Sequence, residues 1–256
     1  METQSEVKQS LRLLVLASLA ALALWFIPLA DRLTYPIRLF VTFIHETGHA
    51  LAALATFGGV NRIAIEWSGS GVTETNGGWG LMISSAGYLA TTIYGASLLL
   101  LLRRKRNVRL AAIGTGALLL LITVFFAGNG LAWATGLAFG AGCLLLAVKV
   151  PARLAHFLMS FLAVQCLLNA FYDLRTLLYL SVSGGAATDA QNMARATNDF
   201  IPAIVWAIGW SALSVLILAA TLAVYYRSLR RREKIAEDPY AGLLTDISSK
   251  TANQNL

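Results

Sequence analysis

Three histidines occur in 256 residues, and two of them stand four apart in His45-Glu46-Thr47-Gly48-His49. On an α-helix, residues four apart lie one turn apart on the same face, so both imidazoles aim at one point. Glu46 directly follows the first of them. The H-E-x-x-H arrangement provides two ligands for a zinc ion and a carboxylate that can take a proton from water. The chemistry implied is hydrolysis, with Glu46 as general base and then as the acid that protonates a leaving amine. Gly48 has no side chain, so another backbone or a substrate can approach this helix closely.

Two imidazoles leave a catalytic zinc site one protein ligand short. His156, Asp173, Asp189 and Asp199 are the candidates. His156 opens a late apolar run beside Arg153, where an interfacial histidine is expected. Asp189 and Asp199 fall in the polar segment 181–200, which reads as a loop with solvated carboxylates. Asp173 lies inside an apolar run, where an isolated acid needs a partner. At helical rise, His49 stands about 14 Å before the end of its run at Gly58, and Asp173 about 11 Å before the end of its own at Leu180. The two runs point the same way, so the groups share a depth. Asp173 is the expected third ligand and Asp189 the alternative. Asn169, four residues before Asp173 and on its face, is placed to hydrogen-bond a substrate carbonyl or oxyanion.

The elements that carry these residues are set by composition. Hydrophobic residues make up 57% of the chain and charged residues 13%, about half the charge of an average soluble domain. A span needs about 20 apolar residues, and seven stretches qualify. They are Leu13–Ala30, Leu39–Gly58, Gly80–Leu102, two halves of Leu110–Val148 parted by the turn Gly128-Asn129-Gly130, Leu154–Leu180, and Pro202–Tyr226. The first lacks a convincing cleavage site and reads as a retained span. Between the second and third, Ile63, Ile65 and Trp67 alternate with Ala64 and Glu66. Turn residues Ser68–Gly71 and a return strand Val72–Thr75 follow, giving a β-hairpin that leans on the helices. Cys143 and Cys166 lie inside apolar runs and read as small buried hydrophobes.

The expected fold is therefore an all-α polytopic membrane protein of about seven transmembrane helices with a short β-hairpin after the second. Residues 1–12 form an N-terminal tail, 13–226 one transmembrane domain with the hairpin at about 58–78, and 227–256 a polar C-terminal tail. The lipid bilayer is one partner. The net charge of +7 comes from short clusters between apolar runs, as membrane topology demands, and forms no stripe for a nucleic acid. Fourteen basic residues, including Arg103–Arg106 and Arg227–Lys234, fall on one side; Lys8, Arg12, Arg62 and Arg195 fall on the other. That bias puts the C-terminus in the cytoplasm, the N-terminus outside and the motif nearer the outer face. It also suggests a bacterial plasma (inner) membrane.

These residues resemble the site-2 protease family of intramembrane zinc metalloproteases, and its compact M50B-like branch in particular. The likeness is carried by HETGH at 45–49, the Gly-Gly-Val hairpin after it, the small-residue helix Ser84-Ser85-Ala86-Gly87-Tyr88-Leu89-Ala90, and a later Asn169 and Asp173. The resemblance implies zinc held by His45, His49 and Asp173, with Glu46 as the base. It implies cleavage of a membrane-spanning protein already shortened by another protease, and a β element that aligns the unwound substrate. It also implies a site opening toward the cytoplasm. The better-known family motif has Pro after the Asn and Gly after the Asp; here Asn169-Ala-Phe-Tyr-Asp173-Leu has neither. Two other readings are a divalent-metal carrier and a protease-like protein that binds helices without cutting them. Glu46 beside the first His favours hydrolysis over both, and no second acidic or His-rich path crosses the membrane.

Overall fold

The computed structural model describes residues 4–25, 30–183 and 188–237, with the side chains of residues 4–8, 10, 22, 24, 25, 30, 31, 33, 170–183, 229 and 231–237 outside that description. In chain order the elements are α1 (Gln4–Trp25), α2 (Ala30–Ala55), β1 (Gly59–Ile65), β2 (Gly71–Asn76), α3 (Gly80–Leu102), α4 (Val108–Phe126), α5 (Gly130–Lys149), α6 (Ala152–Ser183), α7 (Asp189–Ala196) and α8 (Ala203–Glu237). The protein is mostly helical. Among the described residues, five helical segments are long and apolar enough to cross a membrane: 80–102, 105–126, 130–149, 152–169 and 203–228. The long apolar run at 110–148 parts where its glycines and asparagine predict, with α4 ending at Phe126 and α5 starting at Gly130. Cys143 and Cys166 are free and buried, as small apolar groups.

Small residues let the central helices meet. A Cβ on Gly48 of α2 would strike the Ala90 Cβ of α3 and fall 2.7 Å from the Ala86 carbonyl. A Cβ on Gly95 of α3 would lie 2.7 Å from the Ala163 carbonyl of α6. Hydrogen bonds between side chains tie the same bundle together. Tyr94 meets Thr115 of α4 at 2.7 Å, and the Thr92 hydroxyl donates to Ser214 of α8 at 2.9 Å. Phe40 and Phe43 of α2 are fully buried, with Phe40 against Phe139 of α5.

The hairpin is antiparallel, pairing Ile65 with Gly71 and Gly59 with Asn76, with a bulge between Val60 and Arg62. An isolated hairpin is marginal, and this one is held on both sides. The turn between α4 and α5 covers the outer edge of β1. Gly128 N–H donates to Ile63 O, and the Asn129 amide bridges Ile65 N and O. Asn129 also caps α5 by accepting from Ala132 N–H. On its other side the hairpin folds back along α2 and brings its tip to the helix's first half. Tyr35 OH donates to Trp67 O and Thr42 to Gly69 O, at 3.0 and 2.7 Å.

Two expectations change. Segment 181–200 is not all loop, because residues 189–196 form α7 and bury Ala190, Met193 and Ala194. That spacing of i, i+3 and i+4 is the apolar stripe of a helix too short to stand out in a polar segment. The start of α1 stands at the basic turn, where Lys105 donates to Gln9 at 3.0 Å. The charge count had placed Lys8 and Arg12 across the membrane from that turn, whereas this contact puts the start of α1 beside it.

Candidate metal centre

Helix α2 sets His45 and His49 side by side, their rings 4.8 Å apart at 72°. Together with Glu46 they offer ligand atoms that all lie within 4.8 Å of one another. The His49 Nδ1 stands 2.6 Å from the Ile83 carbonyl of α3. A carbonyl only accepts, so the imidazole proton belongs on Nδ1, and Nε2 presents its lone pair to the site. Tyr88 packs edge-on against His45, with ring centroids 5.0 Å apart, and stacks in turn on Trp210 of α8.

Helix α7 brings in a carboxylate. Asp189 Oδ2 is 3.1 Å from His45 Nε2 and 3.2 Å from His49 Nε2. Thr188 caps α7 by accepting from Gln191 N–H. The apolar side of α7, Ala190 and Met193, packs with Ala207 and Trp210 of α8 and with Leu81 and Tyr88 of α3. Packing thus holds Asp189 in place. Burial opposes its charge, but the two imidazoles outweigh burial and hold its carboxyl well below the usual carboxylate range.

This donor set fits zinc. Donors around a tetrahedral zinc, each about 2.0–2.2 Å from the ion, stand roughly 3.3 Å from one another. The Asp189–imidazole separations are on that scale. Space is kept open as well, because a Cβ on Gly87 of α3 would collide with the Nε2 atoms of both histidines. Two imidazole nitrogens converging on one carboxylate oxygen provide a nitrogen–nitrogen–oxygen donor set, which is common for zinc.

Glu46 is buried, with 4% of its surface exposed, and strand β2 holds it. The Thr73 hydroxyl lies 2.6 Å from Glu46 Oε2. A Cβ on Gly71 would fall 2.5 Å from Glu46 Oε1, so only glycine leaves room for the carboxylate there. A cavity of about 710 Å³ opens beside these groups, lined among others by Thr42, Thr73, Ser84, Tyr88, Asn169 and Asp189.

Of the residues singled out in the sequence, His45, Glu46, His49, Asn169 and Asp189 border this one cavity. Asp173 lies in α6 among the side chains outside the described residues. His156 is elsewhere, buried with Nε2 2.9 Å from the Leu102 carbonyl, and Asp199 is exposed in the turn after α7. Gly71, Thr73, Gly87 and the Ile83 carbonyl have no local signature for their place at the site. Their only trace in the sequence is the strand alternation and the run of small residues.

The family described as Peptidase M50B-like matches residues 15–221. No curated protein and no solved structure matches the chain.

Proposed function

The chain belongs to the Peptidase M50B-like family, and from that membership we propose that it is a zinc metalloprotease cutting peptide bonds of membrane-spanning proteins at the cavity beside Glu46. Five apolar helices together with the family indicate a multi-pass integral membrane protein. The observation that carries the reading is the pair of imidazoles on one carboxylate oxygen, with the His49 tautomer set by Ile83. Its Nε2 is left as a ligand atom.

His45 Nε2, His49 Nε2 and Asp189 would hold the ion, with Asp189 in place of Asp173 as the third ligand. Bound zinc supplies Lewis acidity, bringing the pKa of water to about 7 and stabilising an oxyanion. The protein's own groups do the rest. Glu46 takes a proton from the attacking water and later gives it to the leaving amine. Asn169 lines the same cavity, and its amide is the candidate donor to the oxyanion. The edge of β1 is covered by the α4–α5 turn, whereas β2 lines the cavity. An unwound substrate segment added along β2 would run its backbone past Glu46.

The test is zinc per protein, by elemental mass spectrometry on detergent-purified protein, with cleavage of a fluorogenic transmembrane peptide in parallel. We expect near one zinc in wild type, lost in His49→Ala and Asp189→Ala and kept in Asp173→Ala. Zinc lost in Asp173→Ala but kept in Asp189→Ala would move the third ligand to α6. Glu46→Gln should keep zinc and lose cleavage. A folded wild-type protein without zinc, or a Glu46→Gln variant that still cleaves, would overturn the proposal.

A further inference from the structure

Strand β2 grips the proposed base at two points. Residues 71 and 73 are two apart, so they face the same side of the strand, toward α2. Gly71 leaves the slot in which the Glu46 carboxylate sits, and Thr73 closes on it. The neighbours between and beyond face away: Val72 is 47% exposed, and Glu74 pairs with Arg62 at 2.6 Å on the outer side. The Thr73 hydroxyl has two acceptors within reach on the same residue, Glu46 Oε2 at 2.6 Å and the Glu46 main-chain oxygen at 3.0 Å. A threonine hydroxyl has one proton and can also accept. Both distances lie within the range of an O–H···O hydrogen bond.

We propose that Thr73 is a positioning residue that holds Glu46 in both of its protonation states. While Glu46 is ionised, Thr73 donates to Oε2. When Glu46 has taken the proton of the attacking water, the Thr73 O–H swings to the Glu46 carbonyl, and Thr73 Oγ1 accepts from the new carboxylic O–H. When Glu46 passes that proton to the leaving amine, the hydroxyl swings back. Thr73 keeps its own proton throughout, so the grip survives each transfer and the carboxylate does not leave the cavity wall. The role rests on Glu46 being the base, as proposed above.

The experiment uses the full-length, zinc-loaded protein with Thr73→Val, which keeps the shape and removes the hydroxyl, and Thr73→Ser, which restores it. Three quantities are read: zinc content, kcat and KM on the fluorogenic transmembrane peptide, and the affinity for acetohydroxamate. That small ligand ionises as it binds and gives its proton to the base, so it needs no natural substrate. We expect Thr73→Val to keep its zinc, to lose about ten- to a hundredfold in kcat with KM little changed, and to bind acetohydroxamate more weakly by a similar factor. Thr73→Ser should recover most of both. If Thr73→Val fails to hold zinc, Thr73→Ala against Thr73→Ser makes the same comparison. Wild-type kcat and hydroxamate affinity in Thr73→Val, or equal impairment in Thr73→Ser, would sink the inference and leave the protease reading intact. A Glu46→Gln variant that still cleaves would sink both.

Discussion

Gly87 carries no functional group, yet the site depends on its missing side chain. A methyl group there would occupy the space in front of both Nε2 atoms, so Gly87→Ala should fold and lose the metal. The expected loss of zinc affinity is about tenfold or more, the scale on which disturbed ligand geometry costs binding. Zinc titration against a competing chelator measures it, and wild-type affinity in Gly87→Ala would mean that the ion sits elsewhere. At this scale the sequence was legible where chemistry is local. His45, Glu46 and His49 are five consecutive residues' worth of pattern, and one helical turn suffices to bring them together. Asp189 was legible only as an alternative. An acid in a polar segment looks solvated, and its burial depends on α7 packing against α3 and α8, which no short-range signal announces. Gly87 and Thr73 reach the site across 38 and 27 residues of chain from His49 and Glu46, and only a run of small residues and a strand alternation surround them in the sequence.

The hairpin shows how much of an element its own pattern determines. Alternation of Ile63, Ile65 and Trp67 with Ala64 and Glu66 is enough to predict strands, and the turn residues at 68–71 are enough to predict their pairing. Its location is set by partners far away in the chain. Asn129 is the main one, since its single amide satisfies both backbone groups of Ile65 and caps α5. Asn129→Ala should therefore weaken two elements at once. Loss of the cap and of the Ile65 partners together predicts about 2 kcal/mol of destabilisation. Thermal unfolding in detergent would register it as a lower midpoint, and faster hydrogen exchange at Ile65 would assign it to β1. A variant with an unchanged midpoint and unchanged exchange would mean that the Tyr35, Thr42 and Thr73 contacts to α2 hold the hairpin without help from α5.

Hydropathy reads the whole molecule well, because a helix that crosses lipid must be apolar along most of its length, and α3, α4 and α5 begin and end close to where their apolar runs do. Helix α2 is the exception, since the polar motif it carries lowers its own hydropathy. The direction of each helix follows from contacts that hydropathy does not contain. His49 bonds Ile83 near the start of α3, and Gly48 meets Ala86 and Ala90 further along it, so α2 and α3 run antiparallel. The His156 bond to Leu102 brings the start of α6 to the end of α3. The Lys105 bond to Gln9 adds the start of α1 to that same side. With the start of α1 at the basic turn, Lys8 and Arg12 would join the fourteen basic residues that the sequence count puts on that side, and the positive-inside rule would place that side in the cytoplasm. Epitope tags at the two ends should therefore become protease-accessible together in inside-out vesicles and be protected together in right-side-out ones. Tags that report opposite sides would restore α1 as a full crossing and break the link between Gln9 and the basic turn. In the arrangement with both ends inside, Ile83 would lie one turn from the outer end of α3, and the candidate metal centre would sit nearer the outer face. A membrane-impermeant chelator added to right-side-out vesicles should then strip zinc faster than the same chelator sealed inside.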